Sequence, residues 1–194
     1  MAEMHIARSE LILGGQKSGK SARAESLAAA WLAQSAEHRA VYIATAQAWD
    51  EEMRERIARH QRQRAERVPR MTTVEEPLEL AHAIGRHSRA DTLIVVDCLT
   101  LWLTARLMPA VEHGSSPPAE PSAAPAAAIA NALRACAGPI VLISNEIGAG
   151  VIPLGRDVRA FVDALGTLNQ QAAAACERVT LMSAGLPLTL KGAS

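Results

Sequence analysis

Residues 14–21 read Gly-Gly-Gln-Lys-Ser-Gly-Lys-Ser, that is Gly, four residues, then Gly-Lys-Ser. No other stretch restricts the chain so tightly. The pattern follows the apolar run Leu11-Ile12-Leu13 and enters a helix-favouring stretch from Ser21 to Gln34, the strand-loop-helix setting that gives it meaning. Glycines there let successive backbone N–H groups and the helix N-terminus converge on phosphate oxygens. The Lys20 ammonium then meets the β/γ-phosphates, and the Ser21 hydroxyl can hold Mg2+. A Gly/Ser turn before a helix is the plain alternative, and the full set of fixed positions in the right context weighs against it. Nucleotide is thus expected on Gly14, Gly15, Gln16, Lys17, Ser18, Gly19, Lys20 and Ser21.

The rest of the chain alternates strand-like and helix-like segments. Val41 to Ala44 and Thr92 to Val96 are continuous apolar runs, as in strands buried on both faces of a parallel sheet. The first ends at Thr45, Ala46 and Gln47. Ligands in open α/β sheets lie outside the carboxyl ends of strands, so these residues are placed to reach what the phosphate loop holds, unless they form a plain polar loop. The second closes on Asp97, as does the strand that brings an aspartate to the magnesium shell in phosphate-loop nucleotidases; an Asp after a strand also serves as a helix cap. A short strand over Met71–Val74 and a helix from Leu78 to about Arg89 lie between them. Leu99–Leu107 reads as an apolar helix with Trp102. Beyond it, Ile140–Ile143 reads as a strand ending at Ser144-Asn145-Glu146, followed by a glycine-hinged loop to Pro153. A long helix, Arg156–Cys176, precedes a closing hairpin of Val179–Met182 and Leu186–Leu190.

Asp50 opens a highly charged helix to about Arg67, with Glu51 and Glu52 in its first turn. Met53, Ile57, His60 and Arg64 recur at helical spacing, so His60 is expected to follow two apolar residues inward. Around it stand Arg54, Arg56, Arg59, Arg62, Arg64, Arg67 and Arg70. Such a field attracts triphosphate and disfavours protonation of a nearby imidazole. Periodicity alone favours a packed histidine and a solvated arginine face.

With 194 residues, 49% of them hydrophobic, the chain suits one compact domain, expected to span 1–194. Basic and acidic residues both number 20, so the formal net charge is zero. No global field draws the chain to nucleic acid or to an anionic membrane, and an anion site has to be local. Cys98, Cys136 and Cys176 have neither disulfide-framework nor zinc-site spacing and suit reduced cytoplasmic thiols. No apolar run approaches membrane-span length, and residues 1–10 lack a signal-peptide core. Residues Pro109–Pro125, rich in Pro, Ala and Ser, are expected to form a flexible loop within the domain.

Together these blocks resemble the bifunctional adenosylcobinamide kinase / adenosylcobinamide-phosphate guanylyltransferase family over nearly the whole chain. The resemblance is carried by Gly14–Ser21, Tyr42-Ile43-Ala44-Thr45 and Asp50–Met53 leading to Arg56-Ile57-Ala58-Arg59-His60 and Arg64. Thr73-Val74-Glu75, Asp97–Trp102, Ser144–Pro153, and Arg159, Phe161, Asp163, Gly166, Asn169 and Gln170 complete it. The resemblance implies a RecA-like phosphate-loop α/β domain with a mostly parallel central sheet flanked by helices, a C-terminal hairpin, and assembly as a homotrimer. It implies two reactions in cobalamin assembly, with Mg2+ as cofactor. In one, the aminopropanol hydroxyl of adenosylcobinamide takes a phosphoryl group from ATP or GTP. In the other, His60 is guanylylated by GTP and GMP passes to adenosylcobinamide phosphate. Catalysis would then rest on His60 and Lys20. Nucleotide would be held by Gly14–Ser21, Thr45, Ala46, Gln47, Gln61, Arg62, Gln63, Arg64, Glu75 and Asp97, and metal by Ser21 and Asp97. Asn145 and Glu146 would lie near the same site. One departure is Ala105, where the family carries Asn. Two other classes fit parts of the sequence: a monofunctional small-molecule kinase with a structural His60, and a regulatory nucleotide-binding module docking through an exposed Leu-Trp helix.

Overall fold

A computed structural model of the chain describes residues 5–48, 50–107 and 124–192. In chain order the elements are β1 (Ser9–Gly14), α1 (Lys20–Gln34), β2 (Arg39–Ala44), α2 (Glu51–Arg67), β3 (Met71–Glu75), α3 (Leu80–His87), β4 (Thr92–Asp97), α4 (Leu99–Leu107), α5 (Ala124–Ala135), β5 (Ile140–Ile143), α6 (Arg156–Ala175), β6 (Arg178–Ser183) and β7 (Leu186–Lys191). The loop expected over Pro109–Pro125 lies outside the described residues as far as 123; its last two positions begin α5.

The strands form one seven-stranded sheet in the order β3-β2-β4-β5-β1-β6-β7. All neighbours pair in parallel except β7, which returns antiparallel along β6. This is the mostly parallel sheet with flanking helices and closing hairpin that the sequence predicts. The continuous apolar runs serve two faces at once, because successive side chains of a strand point to opposite sides. Leu11 and Leu13 join Ile94, Val96, Ile140 and Leu142 beneath α3, α4, α5 and α6. Ile12, between them in sequence, joins Tyr42, Val95 and Val141 beneath α1.

Trp102 of α4 is buried in the core, and its indole N–H donates to the Leu78 carbonyl at 2.9 Å. Leu99, Leu103 and Ala105 are buried with it. The Leu-Trp helix is therefore an inner element, and the docking face conceived for it does not exist. Helix α3 starts two residues later than expected, because the Glu76 carboxylate accepts from the backbone N–H of Leu78 and Glu79 and holds that segment as a turn. In α6 the apolar side places Leu165, Leu168 and Ala172 in the core, and Asn169 is buried beside them. Among the described residues no helix is long and apolar enough to cross a membrane.

Parallel pairing puts the carboxyl ends of β1, β2, β3, β4 and β5 on one edge of the sheet. Glu75 and Asp97 both pair with Ala44, one on each side. That edge also carries Gly14 and Ser144, and it is where an open α/β sheet receives its ligand.

Candidate active site

β1 ends in Gly14 with φ 151°, and the loop closes through Gly19 with φ 102°. A side chain at Gly14 would place Cβ 2.5 Å from the Met182 carbonyl oxygen and 2.6 Å from Ser18 Oγ; at Gly19 it would stand 3.2 Å from Gly185 Cα. Both positions need glycine for backbone conformation and for space. Gly15 has open space around it, so no packing reason for glycine exists there. Between them Lys17 adopts φ 57°. The loop is backed by the β6–β7 turn, whose Gly185 N–H donates to the Ser18 carbonyl at 3.0 Å.

Gly19 caps α1 without any side-chain hydrogen bond, and no acidic residue stands in the first turn. The helix therefore presents its amino-terminal N–H groups and positive dipole end to an anion. The Ser18 hydroxyl, buried inside the loop, has no partner among the described residues. Lys20 is buried, and its ammonium donates to the carbonyls of Gly14 at 3.0 Å and Gly15 at 2.6 Å, which holds it over the loop. Burial lowers its pKa, and the nearby Asp97 carboxylate opposes this. The Cys98 thiol is pushed up to about 12 by burial and then by Asp97, so it stays protonated at neutral pH.

Ser21 Oγ donates to Asp97 Oδ2 at 2.9 Å, which joins the first turn of α1 to the end of β4. Tyr42 donates its phenolic hydrogen to the same oxygen. Two hard oxygen ligands side by side next to a phosphate loop suit Mg2+, which takes one or two protein oxygens and completes its shell with substrate phosphates and water. Among the described residues no group of three or more His, Cys, Asp or Glu forms a metal cage. Thr45, expected to reach a ligand, has its hydroxyl engaged within the protein. It is fully buried, and its hydroxyl donates to the Cys98 carbonyl at 2.7 Å while accepting from the Cys98 N–H at 2.8 Å. The Asp97–Cys98 peptide that it brackets is cis. Through these two hydrogen bonds the Thr45 hydroxyl holds the backbone that follows Asp97. Ala46 and Gln47 follow it, half-buried, on the same edge.

Helix α2 is capped by Asp50, whose carboxylate accepts from the Met53 N–H at 2.7 Å. Its inner side runs through Ile57, Gln61, Arg64 and Val68. Gln61 reaches Glu75 at 3.2 Å, Arg64 reaches Thr73 at 3.3 Å and Arg67 reaches Glu25 of α1 at 2.9 Å. Arg64 is only 5% exposed. His60 does not follow Met53 and Ile57 inward: it is exposed on the rim of the buried stripe. At about 100° per residue, that stripe is centred between Gln61 and Arg64, and His60 lies roughly 60° to one side of Ile57. Arg62 and Gln63 are exposed on the outer face, apart from the inward pair Gln61 and Arg64. Partial desolvation of the imidazole holds the His60 pKa below 6.5; Asp97 and, more weakly, Glu25 oppose this, while Arg56 and Arg59 reinforce it. The result is a neutral, accessible imidazole within electrostatic reach of Asp97.

At the end of β5 the Glu146 N–H donates to the Gly14 carbonyl at 3.2 Å, which brings Asn145 and Glu146 against the phosphate loop. The Asn169 amide donates to the Asn145 carbonyl at 3.1 Å from α6, and its own oxygen is buried without a partner among the described residues. Tyr42 and its partner Arg64, with a guanidinium 3.7 Å from the ring centroid, are joined by register and helix placement that spacing along the chain does not reveal. The only sequence signal for Tyr42 is a phenol in a strand otherwise apolar, where a buried hydroxyl calls for a partner.

A loop of this geometry, with lysine, serine and aspartate assembled at the carboxyl edge of a parallel sheet, defines a phosphate-loop nucleotide-binding protein. The particular lineage comes from comparison with known proteins. A family model described as cobinamide kinase / cobinamide phosphate guanyltransferase matches residues 10–190. A Pseudomonas aeruginosa protein described as bifunctional adenosylcobalamin biosynthesis protein CobP is 47% identical over 184 residues, covering 94% of this chain and 97% of its own. Two proteins described as bifunctional adenosylcobalamin biosynthesis protein CobU, from Escherichia coli and Salmonella typhimurium, are each 32% identical; each comparison covers 93% of this chain and 98% of the relative. The chain belongs to the cobinamide kinase / cobinamide phosphate guanyltransferase family.

Proposed function

We propose that this protein phosphorylates the aminopropanol hydroxyl of adenosylcobinamide with ATP or GTP, then transfers GMP from GTP to adenosylcobinamide phosphate through a guanylylated His60. The observation that carries it is the junction of Ser21 and Asp97 at 2.9 Å beside the phosphate loop, in a chain that matches the family model from residue 10 to residue 190. In the kinase step the substrate hydroxyl oxygen bonds to the γ-phosphorus, the bond to the β-bridging oxygen breaks, and the hydroxyl proton is released. Lys20, the loop N–H groups and the α1 N-terminus neutralise and position the phosphates, which is most of what phosphoryl transfer requires. Mg2+, when held by Ser21 and Asp97, supplies Lewis-acid polarisation of the phosphate oxygens.

In the second reaction a neutral nitrogen of His60 attacks the α-phosphorus of GTP. Pyrophosphate leaves with its bridging oxygen, giving a histidine-linked GMP. A phosphate oxygen of adenosylcobinamide phosphate then attacks the same phosphorus, the P–N bond breaks and the imidazole is recovered, so one difficult transfer becomes two easier ones. The exposure of His60 supports this role, since a packed imidazole could not reach a nucleotide. Gln61 and Arg64 hold the helix beneath it, and the exposed Arg62 and Gln63 remain available to the nucleotide. The same proposal includes a single catalytic domain over 1–194, work in the cytoplasm without nucleic acid, and assembly as a homotrimer. Free cysteines support the cytoplasmic setting, and zero net charge supports work without nucleic acid. The exposed Leu186, Leu188 and Leu190 of β7 offer apolar surface for subunit contact; a monomer mass by light scattering would remove the trimer.

The decisive experiment incubates the protein and His60→Ala with magnesium and GTP labelled at the α-phosphate, then denatures them and assays acid-labile label. Label is expected on the wild type alone, with phosphorylation of adenosylcobinamide kept in His60→Ala. Wild-type protein that binds GTP yet takes no label would return His60 to a structural part and leave a kinase only.

A further inference from the structure

Tyr42 is the one tyrosine of the chain, and its ring lies buried on β2 between Thr73 of β3 and Val95 of β4. The packing of that ring does not call for a hydroxyl: phenylalanine would fill the same volume and leave no polar group to satisfy. The hydroxyl instead ends on Asp97 Oδ2, the oxygen that also accepts from Ser21. Among the described residues both hydrogen bonds reaching the Asp97 carboxylate fall on Oδ2. An aspartate turns easily about its last torsion, which has broad wells. Two donors on one oxygen remove that freedom and set which way the other oxygen faces.

Arg64 covers the face of the ring, its guanidinium 3.7 Å from the centroid, and is itself held by Thr73. Arg64 belongs to α2 and stands one helical turn after His60. A continuous chain of contacts thus leads from Ser21 through Asp97, Tyr42 and Arg64 to the helix that bears His60. Cation–π contacts gain strength when desolvated, as this one is, with Arg64 and Tyr42 both buried.

We propose that Tyr42 is a positioning residue of the metal–nucleotide site: its hydroxyl orients the Asp97 carboxylate toward magnesium beside Ser21, and Arg64 locks the ring and ties that carboxylate to α2. The inference rests on the reading of Asp97 as the magnesium-side carboxylate. Partners of this kind behind a metal ligand govern affinity by about 10- to 100-fold. Because both nucleotide reactions share Asp97, the effect falls on both, unlike the loss of His60.

The test measures GTP affinity of full-length protein with magnesium and in EDTA, so that the ratio reports magnesium alone. Tyr42→Phe is expected to lose on the order of tenfold of the magnesium enhancement with affinity in EDTA kept, and Asp97→Asn to lose the enhancement altogether. Loss in Asp97→Asn with full enhancement in Tyr42→Phe would overturn the role of Tyr42 and leave the Asp97 reading standing. Full enhancement in both would overturn the Asp97 reading and the inference together. Should Tyr42→Phe not fold, wild-type protein grown with 3-fluorotyrosine gives a single ring resonance. That resonance is expected to shift when magnesium joins the GTP complex and to stay still in Asp97→Asn; a resonance indifferent to magnesium in the wild type overturns the proposal. In labelled Arg64→Gln the resonance is expected to move before any ligand is added, and an unmoved line overturns the locking role.

Discussion

His60 owes its low basicity first to partial desolvation and then to Arg56 and Arg59, against the pull of Asp97 and Glu25. A nucleophilic imidazole has to be neutral, and a pKa held below 6.5 keeps it so over a wider range than a free histidine would. Formation of the enzyme–GMP adduct is therefore expected to hold its rate from neutral pH down past 6.5 and to fall only as pH drops through the lower pKa of the site. Rapid-quench rates across pH check this, and a midpoint above 6.5 would contradict it. At Gly14 the outcome is steric: Gly14→Ala is expected to abolish GTP binding in a titration, because its Cβ would stand 2.5 Å from the Met182 oxygen. That Lys20 sits on the loop and that Ser21 meets Asp97 was legible in the sequence, because motif spacing and strand ends fix their places. The hydrogen bonds of Thr45 and Tyr42 were not, since each reaches a partner more than fifty residues away along the chain. Spacing also misjudged His60, because the apolar pair Met53 and Ile57 suggested an inward stripe that the polar anchors Gln61 and Arg64 shift to one side.

The elements divide by how they are held. Strand β1 and helix α1, which flank the phosphate loop, are cross-braced by Glu10, only 1% exposed, whose Oε1 accepts from Arg23 at 2.8 Å and from Thr180 of β6 at 2.7 Å. Removing one partner of a buried ion pair strands the other, so Glu10→Ala is expected to cost about 3 kcal/mol in urea denaturation. Helix α2 differs: of its residues only Arg64 is buried, and it is fastened by side-chain hydrogen bonds to β3 and α1 more than by an apolar stripe. Its backbone amides are expected to exchange with deuterium well ahead of those of α1 and β4, and equal protection would contradict this attachment. Strand and helix positions were legible almost throughout, because continuous apolar runs and caps such as Asp50 are local signals. The start of α3 was not, for the Glu76 side chain takes over the N–H groups of Leu78 and Glu79 before the helix begins.

Across the whole molecule the parallel sheet gathers its chemistry on one edge, and the order β3-β2-β4-β5-β1-β6-β7 decides how that edge is built. The class of fold was legible from alternating segments and the phosphate loop, while the strand order was not, because pairing partners are distant in sequence and leave no local mark. β1 lies between β5 and β6, and the β6–β7 turn hydrogen-bonds the phosphate loop. A chain stopped at residue 176 is accordingly expected to lose GTP binding, which equilibrium dialysis would show. The same placement sets a schedule for synthesis. The signature loop leaves the ribosome well ahead of β6 and yet waits for β6 to emerge before its strand has both neighbours. Nucleotide thus has no finished seat on the nascent protein until β6 and β7 have been made, however early the loop itself appears.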